Sequence, residues 1–290
     1  MDIQDRLEAK RKSVEEALDR ILPRGESSLE KAMRYAVLSG GKRFRPLLAL
    51  FSAESFGLAQ ERVLPFACAL ELIHNYSLIH DDLPVIDDDD YRRGQPSCHK
   101  AYGEAIALLA GDGLLTLAFE VMAGAPWDRD QAERKVRLIT EMARSAGIGG
   151  MVHGQALDIT LPADALSEDA LLEMMEKKTG ALILASVRVG PILAGASPSI
   201  FEAFSEFGRN IGVAFQIRDD LLDASEEAPP SGAVRPSAVG LWGREKARQR
   251  LEELIRRGVR ALDSLSQPTQ GLRFLAQRLL EIREDDGKTS

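Results

Sequence analysis

The sequence predicts an all-α protein, because helical periodicity runs along almost the whole chain and no segment shows the alternation of a strand. Leu, Ile, Ala and Met recur at spacings of three and four residues. No run rich in β-branched residues alternates apolar and polar positions. The predicted helices cover residues 5–21, 28–38, 46–56, 63–80, 101–123, 130–147, 168–195, 199–223 and 243–264.

The breaks between these helices are short, which favours one domain. They fall at segments with Gly, Pro or Ser, such as "LPRGES" and "GAPWDRD". The chain has no internal repeat, and its one long Pro/Gly-rich loop is "ASEEAPPSGAVRPSAVG" at residues 224–240. A chain of 290 residues with 44% hydrophobic content can form one large core. We therefore expect a single domain over residues 1–290.

Composition limits the partners and the compartment. The net charge of −8 argues against a nucleic-acid partner held by phosphate contacts. Cys68 and Cys98 give neither a disulfide framework nor a zinc spacing, so a reducing cytoplasm is expected. The N-terminus lacks the apolar centre of a signal peptide. Asp112 and Arg188 interrupt the two longest apolar stretches, so no membrane span of about 20 residues is expected.

The segment "LIHDDLPVIDDDDYRRG", residues 78–94, gathers six aspartates directly after an apolar run. Such a run, taken alone, is also typical of a solvated acidic loop. However, the preceding "LELIHNYSLIH" is apolar enough to be buried, which places Asp81 and Asp82 at the mouth of the core. Pro84 restricts Leu83 and is expected to end the helix there.

A second acidic cluster follows another apolar run. The segment "FQIRDDLLD" carries Asp219, Asp220 and Asp223. Asp219 and Asp223 are four residues apart, so both project from one face of a helix and repel each other without a counterion. A hard divalent cation such as Mg²⁺ binds carboxylate oxygens and keeps positions open for substrate phosphates. We expect the two clusters to face each other across a cavity.

Basic residues stand near both clusters in the sequence. Each basic group alone is typical of a solvated surface. Together with the carboxylates, they predict a ligand with several negative charges, held by metal on one side and by Lys or Arg on the other. A diphosphate fits this description. The basic residues are Lys42, Arg43, Arg45, Arg92, Arg93, Lys177 and Lys178.

These motifs resemble those of the trans-isoprenyl diphosphate synthases, the polyprenyl synthetases, and are most like the bacterial farnesyl diphosphate synthases. The two acidic segments are similar to the family's two aspartate-rich motifs. The segments "GGKRFRP", "GDGLLTLAFE", "GMVHGQALD" and "KKTGAL" match other family blocks in the same order, over roughly residues 25 to 280. The resemblance implies an isoprenoid synthase fold of about ten or more helices around a central cavity, in a homodimer.

The resemblance also implies a reaction. An allylic diphosphate, dimethylallyl or geranyl, ionises at its C–O bond, isopentenyl diphosphate attacks the carbocation, and a proton is lost. Pyrophosphate leaves with developing charge that metal ions and cationic side chains stabilise. The carbocation requires a dry apolar cavity. The implied cofactor is Mg²⁺, three ions per site, with Mn²⁺ as an alternative.

The family's functional residues have matching positions here. The implied metal ligands are Asp81, Asp82, Asp87, Asp219, Asp220 and Asp223. Arg92 matches the contact to the allylic diphosphate. The implied isopentenyl diphosphate pocket is Lys42, Arg45, His74 and Arg93. Lys178, Thr179 and Gln216 match the catalytic contacts near the departing diphosphate and the developing cation. A buried histidine such as His74 is otherwise more often a hydrogen-bonded core residue.

The helix before the first motif is expected to set product length. Tyr76 and Ser77 are five and four residues before Asp81. A ring at Tyr76 would close the cavity floor at short length, which favours a fifteen-carbon product over twenty. The alternative is that Tyr76 is a core aromatic residue whose hydroxyl finds a partner.

The sequence departs from the family after the second motif. The loop at residues 224–240 is shorter, and Arg235 stands about where a family lysine binds substrate, while Arg278 stands near the place of a C-terminal aromatic residue. Three alternatives stay open: a geranylgeranyl diphosphate synthase, a class I terpene cyclase and a non-catalytic partner subunit. Lys42, Arg45 and His74 argue against the cyclase, and the intact acidic motifs argue against the partner subunit.

Overall fold

Helices make up nearly all the regular structure of the chain. The computed structural model describes residues 2–161, 166–224 and 236–281. Four helices precede the first acidic motif: α1 Ile3–Ile21, α2 Ser28–Leu38, α3 Phe44–Glu54 and α4 Gln60–Asp81. A two-stranded hairpin follows: β1 Tyr91–Arg92 and β2 Gln95–Pro96. The predicted all-α class is therefore confirmed.

The helices that follow the hairpin run to the end of the described chain. They are α5 Cys98–Tyr102, α6 Glu104–Gly124, α7 Ala132–Ala146, α8 Met151–Thr160, α9 Glu168–Met175, α10 Ala181–Ala194 and α11 Pro198–Asp223. The last three are α12 Ala238–Trp242, α13 Arg244–Ala261 and α14 Gln270–Arg278. A 3₁₀ turn occupies Arg129–Gln131, and a π-helical turn occupies Glu176–Gly180 between α9 and α10.

Local sequence explains several helix ends. Ser27 and Glu30 form a reciprocal capping box at the start of α2. Pro198 stands in the first turn of α11, where a missing N–H costs nothing. Helix α4 ends at Asp81, three residues before Pro84, and Gly103, at φ 85°, separates α5 from α6. The acidic residues therefore stand at helix ends, as the sequence predicts.

Two apolar clusters form the core, and α3 and α10 lie between them. The first cluster surrounds α4 and α6, and the second surrounds α11 and α13. Different faces of α10 pack into the two apolar clusters: Val189 belongs to the first cluster and Val187 to the second. A Cβ at Gly190 would lie 2.4 Å from the carbonyl oxygen of Ser52, so only glycine lets α10 approach α3 this closely.

The structure differs from the predicted helices in several places. Gly103 divides the predicted helix at 101–123 into α5 and α6. Helices α8, α12 and α14 were not predicted, because each is short and flanked by Gly, Pro or Thr. The predicted helix at 168–195 is interrupted by the π-helical turn. Among the residues that the structure describes, the predicted absence of strands fails only at the hairpin, whose turn contains Gly94 at φ 74°.

Helix α6 has an unusual apolar surface. By length and composition it could cross a membrane, yet it belongs to the core of this fold on one side. Only 33% of its most apolar 18-residue window is buried. Leu108 and Leu109 are 47% and 50% exposed. The chain therefore presents one apolar helix face that its own described residues do not cover.

Candidate active site

The predicted site residues meet in one cavity of about 500 Å³, between the ends of α4 and α11. Its walls come from α3, α4, α8, α11, the hairpin and the π-helical turn. The predicted residues that line it are Lys42, Arg45, His74, Tyr76, Ser77, Asp81, Arg92, Arg93, Lys178, Thr179, Gln216 and Asp219. Arg235 lies outside the described residues, and Arg278 is in α14, away from the cavity lining.

One carboxylate from each acidic motif faces this cavity. Asp81 is the last residue of α4, and Asp219 lies one turn before the end of α11. Burial raises the pKa of both carboxyl groups to about 7, against the attraction of Lys178 for Asp81 and of Arg218 for Asp219. Two desolvated oxygen ligands on opposite helices are the donor set that a Mg²⁺ ion prefers.

Asp82 holds an arginine in place. It is 2% exposed, and its Oδ1 accepts hydrogen bonds from Arg92 Nε at 3.0 Å and Nη2 at 2.5 Å. Asp89 Oδ2 accepts a third bond from Arg92 Nη2 at 3.0 Å. Burial raises the pKa of Asp82, and the hydrogen bond from Arg92 opposes this. Asp82 therefore positions a guanidinium at the cavity wall and does not line the cavity itself.

Asp220 takes part in a similar internal network. Its Oδ1 accepts a bond from Gln216 Nε2 at 2.9 Å, and its Oδ2 accepts one from the backbone N–H of Ala238 at 2.6 Å. Thr179 Oγ1 donates to Gln216 Oε1 at 2.5 Å. Burial raises the pKa of Asp220 to about 6. Because both its oxygens are engaged, Asp220 fixes the predicted catalytic pair and ties α11 to α12.

The remaining predicted metal ligands lie at the rim. Asp87 is half-buried, and its N–H donates to the carbonyl oxygen of Asp81 at 2.9 Å. Asp223 is exposed at the end of α11. Neither is among the residues that line the cavity. Their roles, like those of Asp82 and Asp220 as ligands, stay predictions.

The π-helical turn directs Lys178 and Thr179 into the cavity. Lys178 Nζ is 2.5 Å from Asp158 Oδ2 on α8. A Cβ at Gly154 would lie 2.0 Å from the Lys178 backbone nitrogen, so glycine is needed for α8 to pack on this turn. Single π-helical turns inserted into helices are frequent at functional sites. Gly154 and Asp158 therefore orient the two side chains from behind.

A cluster of cations forms the opposite wall. Arg45 is 7% exposed, its guanidinium lies 5.6 Å from the centre of the Phe215 ring, and burial lowers its pKa. Burial and then Arg45 and Arg93 lower the pKa of His74 well below its usual value. The neutral imidazole therefore sits among guanidinium groups. Such a concentration of buried positive charge is suited to a multiply charged anion.

A buried ion pair supports this wall, and sequence reasoning missed it. Arg43 Nη1 binds Glu71 Oε1 at 2.7 Å, with both side chains at most 2% exposed. Asn75 Nδ2 donates to the Glu71 carbonyl at 2.8 Å, and Arg93 Nη1 donates to the Gly40 carbonyl at 2.5 Å. Arg43 has a left-handed backbone, at φ 50°. The carboxylate of Glu71, within the otherwise apolar run "FACALELI" of α4, was the signal available in the sequence.

Part of the cavity lining is apolar. It consists of Tyr76, Ile86, Phe215 and several residues of α8, which are Met151, Val152, Ala156 and Ile159. The side-chain amide of Gln155 also lines the cavity, and neither its nitrogen nor its oxygen has a partner among the described residues. These α8 residues were not predicted to line the site, because glycines flank the segment.

The ring of Tyr76 is fixed from behind. It is 6% exposed and meets the His80 ring edge-on at 5.7 Å between centroids. His80 Nε2 lies 3.0 Å from the carbonyl oxygen of Leu108 on α6, and a Cβ at Gly111 would lie 2.1 Å from the same nitrogen. Tyr76 therefore cannot move back without displacing α6.

Comparisons with known proteins agree with this arrangement. The Polyprenyl synthetase family model matches residues 26–232. Farnesyl diphosphate synthase of Escherichia coli is 38% identical over 299 residues, covering 97% of this chain and 99% of that one. Geranylgeranyl diphosphate synthase of Cyanophora paradoxa is 40% identical, covering 83% and 84%. An FPP/GFPP synthase structure from Zymomonas mobilis has a TM-score of 0.86 at 34% identity, covering 96% and 98%.

The fold and the cavity define an all-α prenyltransferase that elongates isoprenoid chains. The chain belongs to the polyprenyl synthetase family.

Proposed function

We propose that this chain makes farnesyl diphosphate by condensing isopentenyl diphosphate with dimethylallyl or geranyl diphosphate. One observation carries the proposal: Asp81 and Asp219 line the same cavity as a cluster of cations and a set of apolar side chains that includes Tyr76. A substrate with a charged diphosphate and an apolar tail matches both parts of this cavity.

The carboxylates of the two acidic motifs would hold Mg²⁺, with Asp81 and Asp219 as the ligands that face the cavity. Burial raises the pKa of both carboxyl groups, and a divalent cation bound between them would favour their charged forms. When bound, Mg²⁺ supplies neutralisation of the charge that grows on the leaving diphosphate. The oxygen-only ligand set fits this ion and also fits Mn²⁺.

The protein's own groups would bind and orient the two substrates. Arg92, fixed by Asp82, contacts the allylic diphosphate at the cavity wall. Lys42, Arg45, His74 and Arg93 would bind the diphosphate of isopentenyl diphosphate. The two substrates would thereby be held with the nucleophilic double bond next to the allylic carbon. This arrangement lowers the entropic part of the activation barrier for the reaction between them.

The reaction breaks the allylic C–O bond, and its electron pair leaves with pyrophosphate. Lys178, Thr179 and Gln216 line the cavity, and Thr179 donates a hydrogen bond to Gln216. Lys178 would bind the departing group, and the oxygens of Thr179 and Gln216 would stabilise the allylic cation. The π electrons of isopentenyl diphosphate form the new C–C bond, and a proton then passes from the adjacent carbon to the released pyrophosphate, which restores a double bond. The apolar walls of α4 and α8 exclude water from the cation.

Product length would be set by the depth of the cavity above Tyr76. The tightly backed ring supports a fifteen-carbon product. The family relatives include both farnesyl and geranylgeranyl diphosphate synthases, so a twenty-carbon product is the second candidate. A cyclase acts on one diphosphate and does not need the second cationic pocket at Lys42, Arg45 and His74. A non-catalytic subunit does not need the acidic pair Asp81 and Asp219.

The test is turnover by the purified protein with Mg²⁺. Isopentenyl diphosphate is supplied with dimethylallyl or geranyl diphosphate, and the products are separated by chain length. Farnesyl diphosphate as the final product supports the proposal. Geranylgeranyl diphosphate would overturn the assigned length, a cyclic hydrocarbon from one substrate would identify a cyclase, and absence of turnover would identify a partner subunit.

The assembly and compartment are also proposals. We infer a homodimer in which the apolar face of α6, with Leu108 and Leu109, is covered by a second copy. Large exposed apolar patches on soluble proteins mark interaction surfaces. Two buried free cysteines are in keeping with a reducing cytoplasm.

A further inference from the structure

A second group of metal-type ligands lies outside the cavity. Asp88 and Asp90 come from the loop after α4, and His99 comes from α5. One ligand atom of each lies within 4.8 Å of those of the other two. None of these three residues lines the cavity, and the proposed reaction uses none of them.

The histidine of this group has one ring nitrogen engaged and one left over. His99 is 5% exposed, and its Nδ1 lies 3.0 Å from Ser97 Oγ. Its Nε2 is buried and has no hydrogen-bond partner within the part of the chain that the structure describes. A buried polar atom without a partner costs free energy. Metal-binding histidines typically have this pattern, with one nitrogen fixed by a hydrogen bond and the other on the metal.

The two aspartates supply charge from the solvent side. Both side chains are exposed, so an ion can reach them directly from the solvent. Their backbone is held, because the Asp88 N–H donates to the Leu83 carbonyl at 3.2 Å and the Asp90 carbonyl accepts from the Ser97 N–H at 2.9 Å. The ligand atoms are therefore placed by the fold of the loop.

A lysine now neutralises one of these carboxylates. Lys100 Nζ is 2.6 Å from Asp90 Oδ1, and the two side chains are 43% and 62% exposed. Exposed ion pairs contribute little free energy. A divalent cation with two carboxylates and an imidazole can displace such a lysine, and removal of the lysine should then tighten metal binding.

We propose that Asp88, Asp90 and His99 bind a divalent transition metal ion of the Zn²⁺ class. A ligand set of one imidazole nitrogen and two carboxylate oxygens suits Zn²⁺, Mn²⁺ or Co²⁺, whereas Mg²⁺ prefers oxygen alone. Water completes the coordination. The ion fastens the loop before the hairpin to α5, and so supports the strand that carries Arg92. None of the three ligands takes part in the proposed reaction.

The test is a calorimetric titration of the metal-free full chain with Zn²⁺ in an excess of Mg²⁺, which occupies the oxygen-only ligands of the cavity. Asp88→Asn and Asp90→Asn should each lower the Zn²⁺ affinity at least about tenfold, and Lys100→Met should raise it. The matched control is Asp263→Asn, since Asp263 is 60% exposed and pairs with Arg273 at 2.9 Å. This control should bind Zn²⁺ as the wild type does.

A second readout identifies the histidine. The chain has four histidines, so ¹⁵N-histidine spectra resolve them individually. Zn²⁺ should shift Nε2 of His99 and leave His153 unchanged. Equal affinity in the wild type and both aspartate variants, or a shift at another histidine alone, would overturn the proposal. Because no turnover is measured, failure here says nothing against the prenyltransferase assignment.

Discussion

Tyr76 is the side chain that we expect to limit the size of the product. Its ring lines the cavity and packs edge-on against His80, which in turn contacts α6 at Leu108. Tyr76→Ala removes the ring, and the supporting groups cannot fill the gap, so we expect products longer than fifteen carbons. Chromatography of the products measures this. Tyr76→Phe keeps the ring and should keep the wild-type length; an unchanged length in Tyr76→Ala would exclude Tyr76 as the floor.

Asp219 should destabilise the metal-free protein at high pH. Its pKa is raised by burial to about 7 in the folded chain, against roughly 3.9 when unfolded. The folded state therefore binds more protons, and the free energy of unfolding falls as pH rises between these values. Asp219→Asn avoids this loss, so the variant should be more stable than the wild type at pH 8, on the order of 1 kcal/mol.

Urea unfolding in a chelator, from pH 5 to pH 8, tests this expectation. The stability difference between Asp219→Asn and the wild type should grow with pH, and a constant difference would contradict it. With Mg²⁺ and both substrates, the same variant should lose turnover on the order of 100-fold, because it lacks a ligand for the charge-stabilising ion.

For individual residues, the sequence predicts which side chains lie close together better than it predicts the role of each one. The acidic and basic motifs identified part of the cavity lining, such as Asp81, Arg92 and Asp219. Spacing in the sequence could not distinguish the role of Asp81 from that of Asp82. Adjacent side chains at a helix end point in different directions, and the sequence does not show which one points into the cavity. Burial and partners separate them: one faces the cavity and the other holds Arg92. Glu71 was missed because a single acid in an apolar helix gives no motif.

At the scale of elements, the contact between α8 and the π-helical turn is the most sensitive. Gly154→Ala would place a methyl group 2.0 Å from the Lys178 backbone nitrogen. We expect a loss of about 1 to 3 kcal/mol in the free energy of unfolding and a fall in kcat, because Lys178 and Thr179 are displaced. Denaturant unfolding and steady-state kinetics measure both effects.

Gly124→Ala is the matched control. Gly124 ends α6, and a Cβ there meets nothing within 4 Å. The control should therefore keep wild-type stability and kcat. If Gly154→Ala matched it in both measurements, the close packing of α8 would have no part in placing the lysine.

Helix prediction succeeded where the apolar stripe was long and failed where packing decides. The bounds of α2 agree with the prediction because its capping box is written in the sequence. The sequence gives no sign of the π-helical turn, because "EMMEKKTGAL" has α-helical periodicity throughout. That turn arises from the approach of α8, which is a tertiary effect.

For the whole molecule, the exposed face of α6 predicts a dimer. Leu108→Glu with Leu109→Glu places two charges on this face, so we expect a monomer by light scattering at concentrations where the wild type is dimeric. Leu280→Glu, at a residue 42% exposed and distant from α6, is the control and should stay dimeric. A monomeric wild type, or a dimeric double variant, would contradict the assignment of this face.

The sequence predicted the class of the fold, but it gave nine helical ranges where the described residues form fourteen α-helices. That the chain forms a single domain stays a prediction. The two apolar clusters on either side of α3 and α10 could not be predicted, because an all-apolar helix does not indicate which neighbour takes each face.

The two buried cysteines allow local and global unfolding of the protein to be measured separately. Burial raises the pKa of Cys68 to about 12 and that of Cys98 to about 11, so neither forms the reactive thiolate at neutral pH. Cys68 lies inside α4 in the core, whereas Cys98 begins the short helix α5. Timed alkylation followed by mass spectrometry should therefore label Cys98 first, at the rate at which α5 detaches, and label Cys68 only when the entire core unfolds.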